Sequence, residues 1–152
     1  MASSPARERE AGVRTRALAG TAPQRVVVRK SRIHGRGLFA RAPLPPRGKV
    51  GEIGGTRVKL PQAWGMVERQ PRIYLIEIHS RSALDCSSDP VFRHLNHSCQ
   101  PNCYLRIFRE RVEVYALKSI GRGVELTVDY GETPHVGGMS CRCRARGCRG
   151  LL

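Results

Sequence analysis

The chain has 152 residues, with 27 Lys and Arg against 12 Asp and Glu, for a formal charge of +15 and an isoelectric point near 10.8. That length fits one domain able to bury roughly 68–70% of its unfolded surface, and at 5% aromatics its core has to be built from Val, Leu and Ile. No run of about 18 apolar residues exists to span a membrane, and the N-terminus lacks the apolar stretch of a secretory signal, so an intracellular protein, cytoplasmic or nuclear, is expected. The charge favours polyanions by long-range attraction, which admits a nonspecific contact with nucleic acid.

In chain order, residues 1–24 are Ala, Ser, Arg and Gly with almost no large apolar side chain, the composition of a disordered basic tail. Glu8 and Glu10 argue against an organelle transit peptide. A short strand is expected over 26–28, a turn at His34-Gly35-Arg36-Gly37, a second strand over 37–40, a breaker cluster over 43–48 and a third strand over 49–53. Residues 62–69 follow Pro61 and fit a short helix weakened by Gly65. Residues 73–78, Ile-Tyr-Leu-Ile-Glu-Ile, are the clearest strand by composition. One helical turn over 91–95 leads into a loop over 96–102. Residues 104–108 and 111–117 form a hairpin, with Val112, Val114 and Ala116 alternating against polar neighbours. A last strand covers 124–130. Ten Pro and sixteen Gly interrupt the pattern, so many short strands and few short helices are expected.

Six cysteines without an export signal point to reduced thiols or metal rather than disulfides. Cys141, Cys143 and Cys148 fall within eight residues of a tail too poor in apolar groups to fold by burial. Structural zinc takes four ligands; three are local, and Cys99 is the natural fourth. The competing reading is a set of free or redox-active thiols. Cys86 and Cys103 read as small core residues.

The run Arg93-His94-Leu95-Asn96-His97-Ser98-Cys99-Gln100-Pro101-Asn102-Cys103, followed by Glu125-Leu126-Thr127-Val128-Asp129-Tyr130-Gly131, resembles the signature of SET-domain protein lysine methyltransferases with a post-SET tail. The likeness runs from about residue 25 to 150 and includes His34-Gly35-Arg36-Gly37-Leu38-Phe39-Ala40 as the first motif. It implies a mainly β fold of small curved sheets in which the two signature runs are threaded as a pseudoknot, with a SET domain over 25–134 and a zinc-stapled post-SET segment over 135–152. It also implies S-adenosylmethionine as cofactor, contacted by Gly35, Arg36, Gly37, Tyr74, Asn96 and His97 with Arg93 bracing the loop. Zinc on Cys99, Cys141, Cys143 and Cys148 is implied in the same way, and Tyr130 is the catalytic tyrosine that orients the lysine amine. The substrate class is a protein lysine, on a histone or a DNA-associated protein among the candidates, and the protein is expected to act as a monomer.

Two positions depart from the family pattern. Ile53 stands where a tyrosine is expected in the second motif, which removes one hydroxyl from the lysine channel. Val128, two residues before Tyr130, replaces the usual Phe or Tyr and leaves more room at the amine. A second reading from a different class therefore stands beside the enzyme: a catalytically weak or inactive, zinc-stapled basic module that docks on nucleic acid or chromatin.

Overall fold

The computed structural model describes residues 24–69, 72–131, 133 and 137–152. The expected disordered tail lies almost wholly outside the described residues, as does the boundary expected near residue 135.

Three small sheets make up the molecule. The first has the order β1-β2-β10-β7, from β1 (Val26–Lys30), β2 (Arg36–Ala40), β7 (Asn96–His97) and β10 (Glu125–Val128). Its β7–β10 pair is parallel, with Asn96 beside Thr127 and His97 beside Val128. Two runs thirty residues apart are thereby laid side by side, as the threaded arrangement requires. The second sheet has the order β3-β9-β8, from β3 (Lys49–Ile53), β8 (Cys103–Phe108) and β9 (Arg111–Ala116). Arg109 and Glu110 turn its hairpin, both at positive φ (46° and 64°), the twist that suits a two-residue hairpin loop. The third has the order β4-β6-β5, from β4 (Thr56–Lys59), β5 (Leu75–His79) and β6 (Ser82–Asp85), with helix α1 (Leu60–Arg69) leaving the end of β4. A 3-10 turn over Phe92–His94 precedes β7.

Composition placed most of these elements, and the differences are local. The helix starts two residues earlier than expected, and Gly65 within it has nothing within 4 Å of a would-be Cβ. The last strand stops at Val128. Beyond it the Tyr130 N–H bonds a side chain, and the Gly131 N–H bonds the Asp129 carboxylate. The short strands β4 and β6, Thr-Arg-Val-Lys and Ser-Ala-Leu-Asp, carry too little apolar alternation to be seen in the sequence.

The core is aliphatic, as the composition required: Leu38, Leu44, Val112, Val114, Leu126 and Cys103 are fully buried. Phe92 is the aromatic in it, 4% exposed. Its ring lies against Gly51, where a Cβ would stand 2.4 Å from Phe92 Cζ. The 3-10 turn can dock on β3 only because residue 51 has no side chain. Gly51→Val is expected to lower stability by about 1–3 kcal/mol, the usual cost of overpacking a filled core, read as a lower urea midpoint at unchanged slope.

Candidate active site and metal centre

The parallel β7–β10 pair fixes the centre of the site. Ser98 N donates to Val128 O at 2.9 Å. The Asn102 side chain then clamps the loop to β10, giving one bond to Glu125 O (2.7 Å) and taking one from Thr127 N (2.9 Å). Asn96, Ser98 and Asn102 are all buried, so this loop is an interior element whose polar groups are satisfied by the strand it crosses.

The Asn96 amide nitrogen lies 2.9–3.3 Å from the Ser31 hydroxyl, the His34 and Arg36 carbonyls and a Glu125 carboxylate oxygen. Ser31 donates to the same Glu125 oxygen at 2.7 Å. This side chain therefore fastens the 34–36 loop to β7 and β10. Gly37 is part of the arrangement, because a Cβ there would stand 2.1 Å from Glu125 Oε1.

His97 is 4% exposed and uses both ring nitrogens. Nδ1 accepts from the Tyr130 N–H at 3.1 Å, and Nε2 lies 3.2 Å from Cys99 Sγ. Burial lowers the imidazole pKa; Asp129 opposes this and Arg149 adds to it. The ring is thus neutral at pH 7. Since Nδ1 accepts a main-chain N–H, the proton resides on Nε2 and faces the sulfur. In that tautomer His97 donates to Cys99 and has no lone pair left there for a metal.

Tyr130 is 46% exposed as a residue, yet its hydroxyl reaches the interior and donates to Leu95 O at 2.7 Å. Its ring sits 5.4 Å from the His97 ring. Burial, with Cys86 and Tyr74 close by, raises the phenol pKa above its ordinary value. The group is a neutral donor at pH 7 and unsuited to act as a phenolate base. Cys86 is in the core, as expected, and its thiol donates to Tyr74 O at 3.0 Å. Burial pushes that thiol up to about 12, and the Asp85 and Asp89 charges add to the shift, so Cys86 is a neutral neighbour of Tyr130. Cys103 is likewise buried and raised to about 12 by burial.

A cavity of about 490 Å³ opens here, lined on one side by Ile33, His34, Asn96, His97 and Tyr130 and on the other by tail residues that include Met139, Arg142 and Leu152. Its size suits a nucleoside-sized ligand. Of the predicted site residues, Asn96, His97, Tyr130, Cys141 and Cys143 border it. Gly35, Arg36 and Gly37 sit beside it in the 34–37 turn without lining it. Tyr74 stands off near Tyr130. Arg93 points away, its guanidinium on Ser87 O at 3.0 Å, where it braces the 87–94 segment. Ile33, His34, Met139 and Leu152 were not predicted; only His34 lay inside a quoted motif, and the tail residues meet the pocket through folding alone.

The ligand atoms of His97, Cys99, Cys141 and Cys143 all lie within 4.8 Å of one another. Cys99 Sγ and Cys141 Sγ are 3.7 Å apart, close to the ~3.8 Å between two sulfurs each about 2.3 Å from a tetrahedral zinc. Cys148 is exposed and lies outside this group of four. Burial works against the Cys143 thiolate, but the Cys99 and Ala145 N–H groups and the neighbouring thiols outweigh it and bring the thiol to about 6. Cys141 is raised to about 12 by burial and by its sulfur neighbours. The cluster of His97, Cys99, Cys141 and Cys143, with one sulfur already a thiolate at pH 7, offers a donor set suited to a zinc ion, and the N–H groups of Cys99, Arg149 and His97 supply donors that settle charge on the sulfurs. The tail closes on itself by paired hydrogen bonds between Met139 and Leu152 and by Cys141 N to Gly150 O at 2.8 Å, and Arg149 ties it to Asp129 at 2.6 Å.

A sheet that lays an Asn-His-Ser-Cys run beside a Leu-Thr-Val-Asp-Tyr strand, under a cysteine tail that closes a cavity, defines a class of fold. The comparisons agree. The SET domain family model matches residues 35–131, and the chain belongs to the SET-domain family. It is 31% identical over 140 residues to a Kluyveromyces lactis protein named histone-lysine N-methyltransferase, H3 lysine-4 specific, covering 84% of this chain and 14% of that one. It is 34% identical over 137 residues to the Aspergillus fumigatus protein of the same name (81% and 11%). It is also 32% identical over 133 residues to histone-lysine N-methyltransferase set-2 of Caenorhabditis elegans (81% and 9%). The chain thus corresponds to a small part, 9–14%, of each of these relatives.

Asn96→Ala is expected to lower stability by about 1–3 kcal/mol, because it strips the shared donor from buried acceptors around Glu125. Urea unfolding measures the loss, and faster amide exchange confined to residues 31–37 would locate it.

Proposed function

We propose that this chain is an S-adenosylmethionine-dependent protein-lysine N-methyltransferase acting on a histone, with H3, the substrate in the names of its relatives, as the first candidate. One observation carries the reading: a buried, protonated Tyr130 hydroxyl stands at the edge of a nucleoside-sized cavity floored by Asn96 and His97. Bound there, the cofactor would supply an activated methyl group on a sulfonium. The residues assigned to hold it are Asn96 and His97 through the β7 backbone, the 35–37 turn that Asn96 fastens, Tyr74 near the channel, and Arg93 as a brace.

An attacking lysine must be neutral, and at pH 7 an ordinary lysine with pKa near 10.4 pays about 4–5 kcal/mol for deprotonation. The site lowers that cost by desolvation, since Cys86 stays an uncharged thiol, Tyr130 stays an uncharged phenol, and Ile53 and Val128 are 4% and 3% exposed. Tyr130 orients the amine through its hydroxyl. With Ile53 in place of a hydroxyl-bearing neighbour, it does so with fewer polar partners, and Val128 leaves more room at the amine. That same loss is what favours the second reading, a catalytically weak basic module on nucleic acid or chromatin. We assign the SET domain to 25–134, a post-SET segment to 135–152 and a basic tail to 1–24, in a monomer that works in the cytoplasm or nucleus and touches nucleic acid nonspecifically through its charge. No helix of the described residues is long and apolar enough to cross a membrane.

Tyr130→Phe is expected to lower methyl transfer to an H3 peptide by ~10²–10⁴-fold, the range of a positioned proton-bearing group, while calorimetry finds cofactor affinity within threefold of the parent. A variant that keeps its turnover removes Tyr130 from the mechanism, and a parent protein that binds no cofactor leaves the basic module standing.

For the metal we assign one structural zinc to Cys99, Cys141, Cys143 and Cys148, with His97 as a donor to Cys99 rather than a ligand. Metal analysis is expected to find one zinc per chain, retained in His97→Asn and lost or weakly held in Cys148→Ser. Chelation is expected to open residues 137–152 to protease and abolish activity together. Zinc lost from His97→Asn but kept in Cys148→Ser would reverse the assignment.

A further inference from the structure

The cationic side chains of two of the sheets are arranged differently. On the outer face of the β3-β9-β8 sheet they are matched across strands: Lys49 with Glu113, Arg111 with Glu52, Arg106 with Glu113. On the β1–β2 hairpin they are set against one another. Arg25 stands opposite Arg41, whose N–H donates to the Arg25 carbonyl at 2.7 Å, and Lys30 stands opposite Arg36. Arg29 shares the face of Arg25 by strand alternation, while Lys30 and Arg36 lie on the other face at the end of the hairpin. The Gly123 N–H bonds Ala40 O at 2.7 Å, which brings Arg122 alongside Arg41. All six side chains are exposed, and among the described residues none has a carboxylate within 4.0 Å. Glu125, opposite Phe39 on this same face, has its carboxylate over Gly37 and engaged by Ser31 and Asn96. Like charges directly opposite each other destabilise a sheet. An arginine-rich composition alone does not account for this, since the same chain pairs its charges in the neighbouring sheet.

We propose that the outer face of the β1–β2 hairpin is a phosphate-binding surface for double-stranded nucleic acid. Arg25 and Arg29 are four residues apart on one face, about 13 Å at the strand rise of ~3.3 Å per residue. Along a duplex strand, with about 3.4 Å of axis per phosphate, that distance reaches across about four phosphates. The cations offered on this face, Arg25, Arg29 and Arg41 with Arg122 alongside, are all arginine, whose planar fork bonds phosphate oxygens in pairs. The apolar side chains between them on this face are the half-buried Val27 and Phe39. So little apolar relief suits a repeating row of anions better than an acidic protein, whose affinity rests on buried apolar anchors. The inference deepens the nucleic-acid contact proposed above by giving it a place, and it does not depend on methyl transfer.

The test is fluorescence anisotropy of a labelled 20-base-pair duplex titrated with the zinc-loaded chain over a range of salt. Reversal of three arginines in R25E/R29E/R41E is expected to weaken binding at least tenfold. It should also reduce the slope of log affinity against log salt by about 2.7, or about 0.9 for each phosphate that is no longer neutralised. The charge-matched control K59E/R69E/R81E, on the third sheet and its helix, is expected to stay within threefold of the parent. Both variants should keep the parent's melting temperature and cofactor affinity. If the reversal variant does not fold, R25Q/R29Q/R41Q takes its place, with at least a fivefold loss expected. Equal weakening by the two triple variants would overturn the proposal in favour of net charge alone. No binding of the duplex by the parent would also overturn it. Competition by polyglutamate as effective as that by unlabelled duplex would assign the face to an acidic protein instead.

Discussion

The site depends on one imidazole held between two backbone-anchored groups. Its Nδ1 takes the N–H of Tyr130 and its Nε2 faces the sulfur of Cys99. One side of the ring therefore meets the residue assigned to chemistry and the other meets the residue assigned to metal. The ring has no freedom to choose otherwise, because it is buried on a two-residue strand whose register against β10 is fixed by main-chain bonds. The position of the tyrosine and the seating of the tail are thus set by the same short element. Arg149, which pairs with Asp129 next to that tyrosine, gives a second tie from the tail to the same strand end.

Around this centre the polar groups are consumed by construction. Asn96 and Asn102 spend their amides on carbonyls and carboxylates of the hairpin and of β10. Such buried side chains trade water for fixed partners, and each partner removed would leave a costly orphan. The result is a floor pinned by hydrogen bonds, with Tyr130 at the edge of the cavity above it. Charge is treated differently from region to region. It is knitted across the β3-β9-β8 sheet, absent from Tyr130 and its neighbour Cys86, and left unmatched on the β1–β2 hairpin.

Much of this was legible in the residues themselves. The alternation of Val112, Val114 and Ala116 marked β9 correctly, because a half-buried strand needs period two. The cysteine spacing marked a metal tail because nothing else in that stretch could fold it. What could not be read was anything decided by contact between distant segments. Gly51 gave no sign that a phenylalanine 41 positions later would lie against it, and nothing in Met139 or Leu152 announced a cavity wall. The Asn96 amide proved to be occupied inside the protein, and the Arg93 guanidinium turned to Ser87. These are facts of three-dimensional packing that residue type leaves open. Even for His97, composition could propose the position but not the tautomer, which follows from a main-chain donor thirty-three residues away.

The order β1-β2-β10-β7 also has a bearing on how the chain is made. Its strand β10 follows β2 only after β3–β9 have been made, so β2 waits with one side unpaired through that interval. Such long-range closure makes for slow folding, and a waiting strand edge is a template for the wrong neighbour. The unmatched charge on that hairpin then has an early use: two nascent chains bearing it repel each other until the late strand arrives to close the sheet.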